Sequence, residues 1–278
     1  MISRALQRAT ALLQASSTSA RLDAELLLAH ILGLDRGQLR ARGERPLDSA
    51  ESDAYTALLE RRARGEPLAY LLGHREFWSL ELEVNESVLV PRPETELLVE
   101  IALECLAGWP GARVLDLGTG SGAIGLAVAH ERADARVDLV DSSEAALATA
   151  EVNRRRLGLD NVRVRAGSWY RAVGADRYAL ILANPPYLGE ADPHLAAAEL
   201  RHEPRAALVA GPDGLEALRA IAAGAPEHLE PQGTLVMEHG AEQGAATRAL
   251  LAAAGLEAVL TRRDLAGRER ATLGTHPG

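Results

Sequence analysis

The chain contains no lysine: all 30 of its basic residues are arginine. That excludes chemistry built on a Schiff-base or phosphate-loop lysine. Cys105 is the only cysteine, which leaves no disulfide framework and no thiolate cluster for zinc; it reads as a small buried side chain on a helix. The eight histidines are scattered and never fall at metal-ligand spacing, so no metal site is expected. No apolar run reaches the roughly 18 residues of a membrane span. Residues 1–17, MISRALQRATALLQASS, lack a continuous apolar core followed by a small-residue cleavage site. The expectation is a soluble, cytoplasmic protein with no membrane partner. Excess positive charge is missing as well: the net charge is −9, which argues against broad nucleic-acid binding by electrostatics alone.

What is present is 278 residues, 47% of them hydrophobic, enough for one large domain and a small appendage. The charge is unevenly spread. Residues 1–75 carry 11 arginines against nine acids, or +2, and the remainder carries 19 against 30, or −11. The pattern divides the chain into a helical domain at 1–74, a β-hairpin linker at 75–92 and a main domain at 93–278. In the first, RLDAELLLAHILGL places Leu22, Leu26, Ala29 and Leu32 on one helical stripe, and a later helix carries Tyr55, Leu58 and Leu59 on another. Asp48 with Glu51 has the spacing of a capping box, and Gly65 with Pro67 ends that helix. From Phe77 the period becomes two. Leu80, Leu82 and Val84 predict one strand, Asn85 to Ser87 a turn, and Val88 to Val90 the returning strand.

Beyond Arg113 strands and helices alternate, which predicts a parallel sheet wound by right-handed crossovers. The last two strands, EAVLTRRDL and RERATLG, are too closely linked to enclose a helix and must be antiparallel. The fold class is therefore α/β: a Rossmann-like sheet with an antiparallel last strand, preceded by the helical bundle and hairpin. The antiparallel end resembles the sheet of S-adenosylmethionine-dependent methyltransferases.

The first strand runs into DLGTGSGAIG, where Gly120, Gly122 and Gly125 satisfy G-x-G-x-x-G. Glycines at such a turn let the backbone bend tightly and approach a ligand. A dinucleotide is a legitimate competitor for this loop. Asp116, inside the strand end, is placed to hold a positively charged amino group rather than a pyrophosphate, and it points to S-adenosylmethionine. Asp141 closes the second strand where an acid would grip ribose hydroxyls, which both ligands need.

The fourth strand ends on Asn184, Pro185, Pro186 and Tyr187. Ligands of doubly wound sheets bind beyond the carboxyl ends of the strands, so this tetrad faces the same crevice as the glycine loop. The prolines remove N–H donors and leave carbonyls as acceptors, and the asparagine oxygen adds another. Such a site is built to receive an NH2 group. Two acceptors could hold its hydrogens while the lone pair aims at a sulfonium methyl, with Tyr187 covering a planar π face. Asn-Pro-Pro-Tyr occurs in amino-methyltransferases acting on DNA adenine-N6, ribosomal RNA guanine-N2 and protein glutamine-N5, so the tetrad names a chemistry and leaves the acceptor open. A non-enzymatic nucleotide-binding module would explain the glycine loop and leave the tetrad idle.

Other stretches narrow the choice. GEPLAYLLGHREFWSLELEV at 65–84, VLVPRPETELLVE at 88–100, DLGTGSGAIGLAVA at 116–129, NPPYL at 184–188, EHGAEQG at 238–244 and RDLAGRER at 263–270 resemble the HemK/PrmC family along essentially the whole chain. That family comprises N5-glutamine methyltransferases of the Gly-Gly-Gln motif in class-1 peptide chain release factors. The resemblance implies S-adenosylmethionine as methyl donor, S-adenosylhomocysteine as product, and release factors as partners of a protein acting as a monomer without direct nucleic-acid contact. It implies that Gly118, Thr119, Gly120, Ser121, Gly122, Asp141, Trp169 and Asn184 bind the methyl donor. Asn184 to Tyr187 would hold the glutamine, with Asn184, Pro185 and Tyr187 catalytic, and the helical domain would dock the release factor. Arg92, Glu94 and Thr95 match the family too, but a proline-led helix start rich in acids explains them equally well. Glu238 and His239 end a strand near the cleft, His239 as a structural residue. Leu188 stands where the family usually has isoleucine.

Overall fold

Side-chain caps set where helices of the N-terminal region begin. Asp48 accepts the Glu51 N–H at 2.8 Å while Glu51 accepts the Asp48 N–H at 3.0 Å, and Asp35 and Gln38 repeat the arrangement. The computed structural model describes all 278 residues and divides into two compact units. One is Met1–His74 with Ala196–His202, and the other is Arg75–Leu195 with Glu203–Gly278.

The first unit holds α1 (Ile2–Leu13), α2 (Ala20–Leu32), α3 (Arg36–Ala41), α4 (Ser49–Ala63) and α5 (Leu68–Leu72) around Leu6, Leu13, Leu27, Leu28, Leu39, Tyr55 and Leu59. The stripe expected on α2 is displaced. Ala20, Ala24, Leu27, Leu28 and Ala29 are buried, whereas Leu22 is exposed. Apolar residues cover most sides of this helix, so its period is ambiguous. Asp23 settles the rotation, because its carboxylate pairs in the interior with Arg62 of α4 at 2.7 Å.

The hairpin also differs from expectation. Its strands are β1 (His74–Phe77) and β2 (Leu80–Glu83), and its turn is Trp78–Ser79, with φ of 52° and 58°. Both turn residues lie in the left-handed region usually given to Asn and Gly, so Trp-Ser carried no turn signal. The turn is secured from outside: Glu96 accepts the Trp78 backbone N–H at 2.9 Å and Glu131 the indole N–H at 2.8 Å. Val88 to Val90 form no returning strand. Val88 and Val90 are buried and Leu89 half-buried, and Val88 and Leu89 line a cavity.

In the second unit a 3-10 turn (Pro93–Thr95) leads into α6 (Glu96–Leu106). The sheet follows: β3 (Arg113–Leu117), α7 (Ala123–Glu131), β4 (Arg136–Asp141), α8 (Glu144–Arg156), β5 (Val162–Ala166), β6 (Tyr178–Ala183), α9 (Glu216–His228), β7 (Leu229–Glu238), α10 (Gly244–Ala253), β8 (Glu257–Arg263) and β9 (Glu269–Thr275). The strand order is β5-β4-β3-β6-β7-β9-β8. Strands β3 to β7 are parallel, and β9 runs antiparallel to both β7 and β8. The antiparallel strand is therefore inserted within the sheet, and β8 forms the edge. Apolar cores cover both faces, one centred on Leu98, Val114 and Leu126, the other on Leu115, Ile181 and Leu218. Every residue of β6 is buried. The chain winds from β3 toward β5 and then returns across β3 to β6, which opens a crevice between their carboxyl ends. No helix is long and apolar enough to cross a membrane.

Candidate active site

The turn after β3 is held from beneath. Gly118 and Thr119 both donate backbone N–H groups to the Val140 carbonyl, at 2.8 and 3.0 Å. Gly118, Gly120 and Gly122 have φ of 71°, 56° and 87°, a region that penalises side chains. At Gly125 the constraint is contact: a Cβ there would sit 2.2 Å from Leu139 Cδ2 and 3.0 Å from Asp116 Oδ2. The motif's last glycine thus lets α7 press against the sheet.

Asp116 does something other than expected. It is fully buried and absent from the cavity wall. Its Oδ2 accepts the Thr119 hydroxyl at 2.5 Å and the Gly125 N–H at 3.1 Å, while Oδ1 has no partner. Burial pushes its pKa up to about 6 against the lowering effect of those two donors. Strand alternation turns the side chain beneath the loop, where Asp116 shapes the turn and forms no part of the cavity wall. Asp141, by contrast, lines the cavity and receives the N–H groups of Gly120 at 3.0 Å and Ser143 at 2.9 Å. A carboxylate with these two bonds retains lone pairs for hydroxyl groups.

The structure brings Gly118, Thr119, Gly120, Ser121, Asp141, Trp169 and Asn184 to one cavity, with Pro186 beside them. Trp169 sits at φ 48°, and its ring passes 3.5 Å from where a Gly118 Cβ would stand. Gly122, Pro185 and Tyr187 are not in the cavity wall. Pro185 is buried, and burial raises the Tyr187 phenol above its ordinary range. The Tyr187 carbonyl accepts the Gln243 side-chain N–H at 3.0 Å, which ties the end of the tetrad to the loop after β7.

Arg92 and Thr95, left open by the sequence, line the cavity, and Thr95 Oγ1 accepts the Asn184 Nδ2–H at 3.3 Å. Arg92 donates to the buried Glu203, which also accepts the Val90 N–H at 3.1 Å. Glu94 is not in the wall. Glu238 is 1% exposed, and burial pushes its carboxyl up to about 7. His239 is buried with both nitrogens engaged, by the Gly240 carbonyl and the Thr272 hydroxyl, each at 2.8 Å. Burial lowers its pKa, consistent with a neutral structural ring. Cys105 on α6 lies outside the cavity, its thiol pushed up by burial. Sequence reasoning missed Glu203 and Gln243. Gln243 lay within a family-like stretch and could have been found there; Glu203 lies in an irregular segment with no signal.

An acid closing β4, a glycine turn on β3 and an antiparallel strand inserted beside β7 together define a Rossmann-like methyltransferase. Residues 4–73 match the PrmC N-terminal domain, and residues 94–214 the methyltransferase small domain. The release factor glutamine methyltransferase of Xylella fastidiosa (strain Temecula1) is 53% identical over 93% of this chain and 94% of its own length. That of Burkholderia pseudomallei is 50% identical over 97% and 96%. A solved structure, the T. thermophilus 16S rRNA N2 G1207 methyltransferase in complex with AdoMet and guanosine, has a TM-score of 0.55 at 19% identity. It covers 73% of this chain and 49% of that one, a likeness of fold. The chain belongs to the family of release factor glutamine methyltransferases.

Proposed function

We propose that this enzyme transfers a methyl group from S-adenosylmethionine to the N5 nitrogen of the glutamine in the Gly-Gly-Gln motif of class-1 peptide chain release factors. The observation that carries the chemistry is the orientation of Asn184. Its Nδ2 is engaged by Thr95 at 3.3 Å, which leaves Oδ1 for the cavity as an acceptor. The glutamine acceptor is supported by the family.

The donor set fits S-adenosylmethionine: Asp141 for ribose hydroxyls, the Trp169 ring for adenine, and the glycine turn for close backbone approach. Bound there, the donor supplies a methyl carbon on a sulfonium, with S-adenosylhomocysteine as a neutral leaving group. The protein's part is to hold the amide. An amide nitrogen is a weak nucleophile because its lone pair is delocalised. Asn184 Oδ1 and a backbone carbonyl of the Asn184–Pro186 stretch, both ends of which line the cavity, accept its two hydrogens and favour a pyramidal nitrogen. Positioning and preorganised acceptors then carry the rate without a strong base: the nitrogen–methyl bond forms as the methyl–sulfur bond breaks, and the proton that the alkylated nitrogen sheds passes to water. Replacing Trp169 by alanine is expected to weaken donor binding by about 1–3 kcal/mol, the range for a stacked base. Calorimetry with S-adenosylmethionine measures this, and an unchanged affinity removes Trp169 from the adenine site.

We assign release-factor docking to the helical unit, whose slight positive excess contrasts with the acidic remainder. A chain carrying its own docking unit needs no second subunit, and the reading places it in the cytoplasm with its substrate. Labelled S-adenosylmethionine offered with intact release factor, its Gln→Ala variant in Gly-Gly-Gln, a free Gly-Gly-Gln peptide or DNA tests the whole assignment. Label is expected on the intact factor, weakly on the peptide, and on neither of the others. Label on DNA would identify an amino-base methyltransferase instead, and equal KM for peptide and factor would end the docking role.

A further inference from the structure

One part of the methyl donor still lacks a partner in the cavity. Asp141 and Trp169 suit its ribose and adenine, but Asp116, which the sequence offered to its charged tail, is no part of the wall. Only two charged side chains line the cavity, Asp141 and Arg92. Arg92 stands just before the 3-10 turn that ends on Thr95, and its carbonyl accepts the Thr95 N–H at 3.1 Å. Thr95 in turn accepts the Asn184 Nδ2–H at 3.3 Å. Arg92 is thus one turn of chain from the residue that touches the amide-binding asparagine.

The guanidinium is held from one side. Its Nη2 donates to Glu203 Oε1, and Glu203 Oε2 accepts the Val90 N–H at 3.1 Å, so both carboxylate oxygens are engaged. The Glu203 side chain is 0% exposed and that of Arg92 29%. A guanidinium carries five N–H groups in a planar fork, and those not given to Glu203 take no other protein acceptor. The buried carboxylate therefore sets the direction of the fork, and the unused donors face the cavity, an arrangement suited to a second carboxylate.

We propose that Arg92 binds the α-carboxylate of S-adenosylmethionine, with Glu203 as the residue that positions it. The proposal rests on the reading of this cavity as the donor site. At neutral pH the donor has a single anionic group, the carboxylate, beside its ammonium and sulfonium, and Arg92 is the only cation in the wall. Tail and methyl share one sulfur. A donor with its adenine at Trp169 and its methyl at Asn184 therefore brings its carboxylate to the side of the cavity that Arg92 occupies. The site selects an adenosyl donor with an intact amino-acid tail over a nucleoside that lacks one.

Calorimetry on the full-length protein tests this with S-adenosylmethionine, S-adenosylhomocysteine, decarboxylated S-adenosylmethionine, which keeps the ammonium, and methylthioadenosine, which has no tail. Arg92→Met is expected to weaken the first two by about 10- to 100-fold, the loss of a charged hydrogen bond, and the last two by no more than about twofold. Arg92→Met leaves Glu203 buried with the Val90 N–H alone, so Arg92→Met with Glu203→Gln is measured beside it and should show the same selective loss. Arg92→Lys should recover part of the affinity for the carboxylate-bearing ligands only, and Glu203→Gln alone should lower that preference without changing methylthioadenosine binding. Equal weakening of all four ligands in the double variant, or of none, overturns the proposal. A raised KM for release factor with donor affinity unchanged also overturns it and puts Arg92 on the protein substrate. A parent that binds none of the four overturns the donor assignment and this inference together. A parent that prefers the carboxylate-bearing ligands yet methylates no release factor supports the inference and removes only the acceptor.

Discussion

Asn184→Ala is expected to lower kcat for release-factor methylation by at least about a hundredfold, the loss typical of a preorganised group that acts on the transition state. The side chain spans the required geometry in one piece. Its nitrogen is anchored on Thr95 at 3.3 Å, and its oxygen is left for the substrate. Alanine removes both, and water entering the space is mobile and cannot supply an acceptor at fixed angle. Stability should change little, because Asn184 is only half-buried and its side-chain hydrogen bond to Thr95 is a long one at 3.3 Å. Affinity for S-adenosylmethionine should fall by no more than about tenfold, since Asp141, Trp169 and the glycine turn remain. Circular dichroism, calorimetric donor binding and steady-state kinetics separate these effects. Normal turnover in a folded Asn184→Ala protein would sink the mechanism.

The largest stability effect is expected at Arg62. Its Nε donates to Asp23 at 2.7 Å with the two side chains 5% and 3% exposed, and its other nitrogens reach Glu199 at 2.8 Å and the Glu66 carbonyl at 3.0 Å. The guanidinium thus joins α2, α4 and the Ala196–His202 segment inside one unit. Arg62→Ala leaves Asp23 buried with only the Ser17 and Ser19 hydroxyls, each at 2.7 Å. Breaking a buried pair in this way costs about 3–5 kcal/mol, so the thermal transition of the helical unit should fall by more than about 10 °C. Replacing both partners, Arg62→Met with Asp23→Leu, should recover most of the loss because no charge is then stranded. A drop below about 1 kcal/mol in Arg62→Ala would show the pair contributes no more than an exposed one.

Much of this molecule was legible as local pattern. The alternation of strands and helices past Arg113, the Asp48–Glu51 cap, the glycine turn and the closing Asp141 each depend on residues a few positions apart, and all appear where the spacing puts them. Failures arose where a local rule had competitors. Apolar residues around most of α2 hid which face Asp23 would draw inward. Trp78–Ser79 makes a turn that usually needs Asn or Gly, and it holds because Glu96 and Glu131 fix it. Asp116 was read by its position along the strand, but strand alternation put its carboxyl under the loop.

The sequence by itself determined the fold class, the family-like stretches and the tetrad Asn184–Tyr187, because backbone preference and periodicity act over a few residues. Only tertiary structure decided what surrounds that tetrad. Thr95 lies 89 residues from Asn184 in the chain, and Gln243 lies 56 from Tyr187. Such pairs meet because β6 and β7 are neighbours in the sheet and α6, which follows Thr95, packs against both. Sheet order comes from long-range packing of both faces, which no short window of residues encodes; it alone turned an asparagine followed by two prolines into an oriented carboxamide.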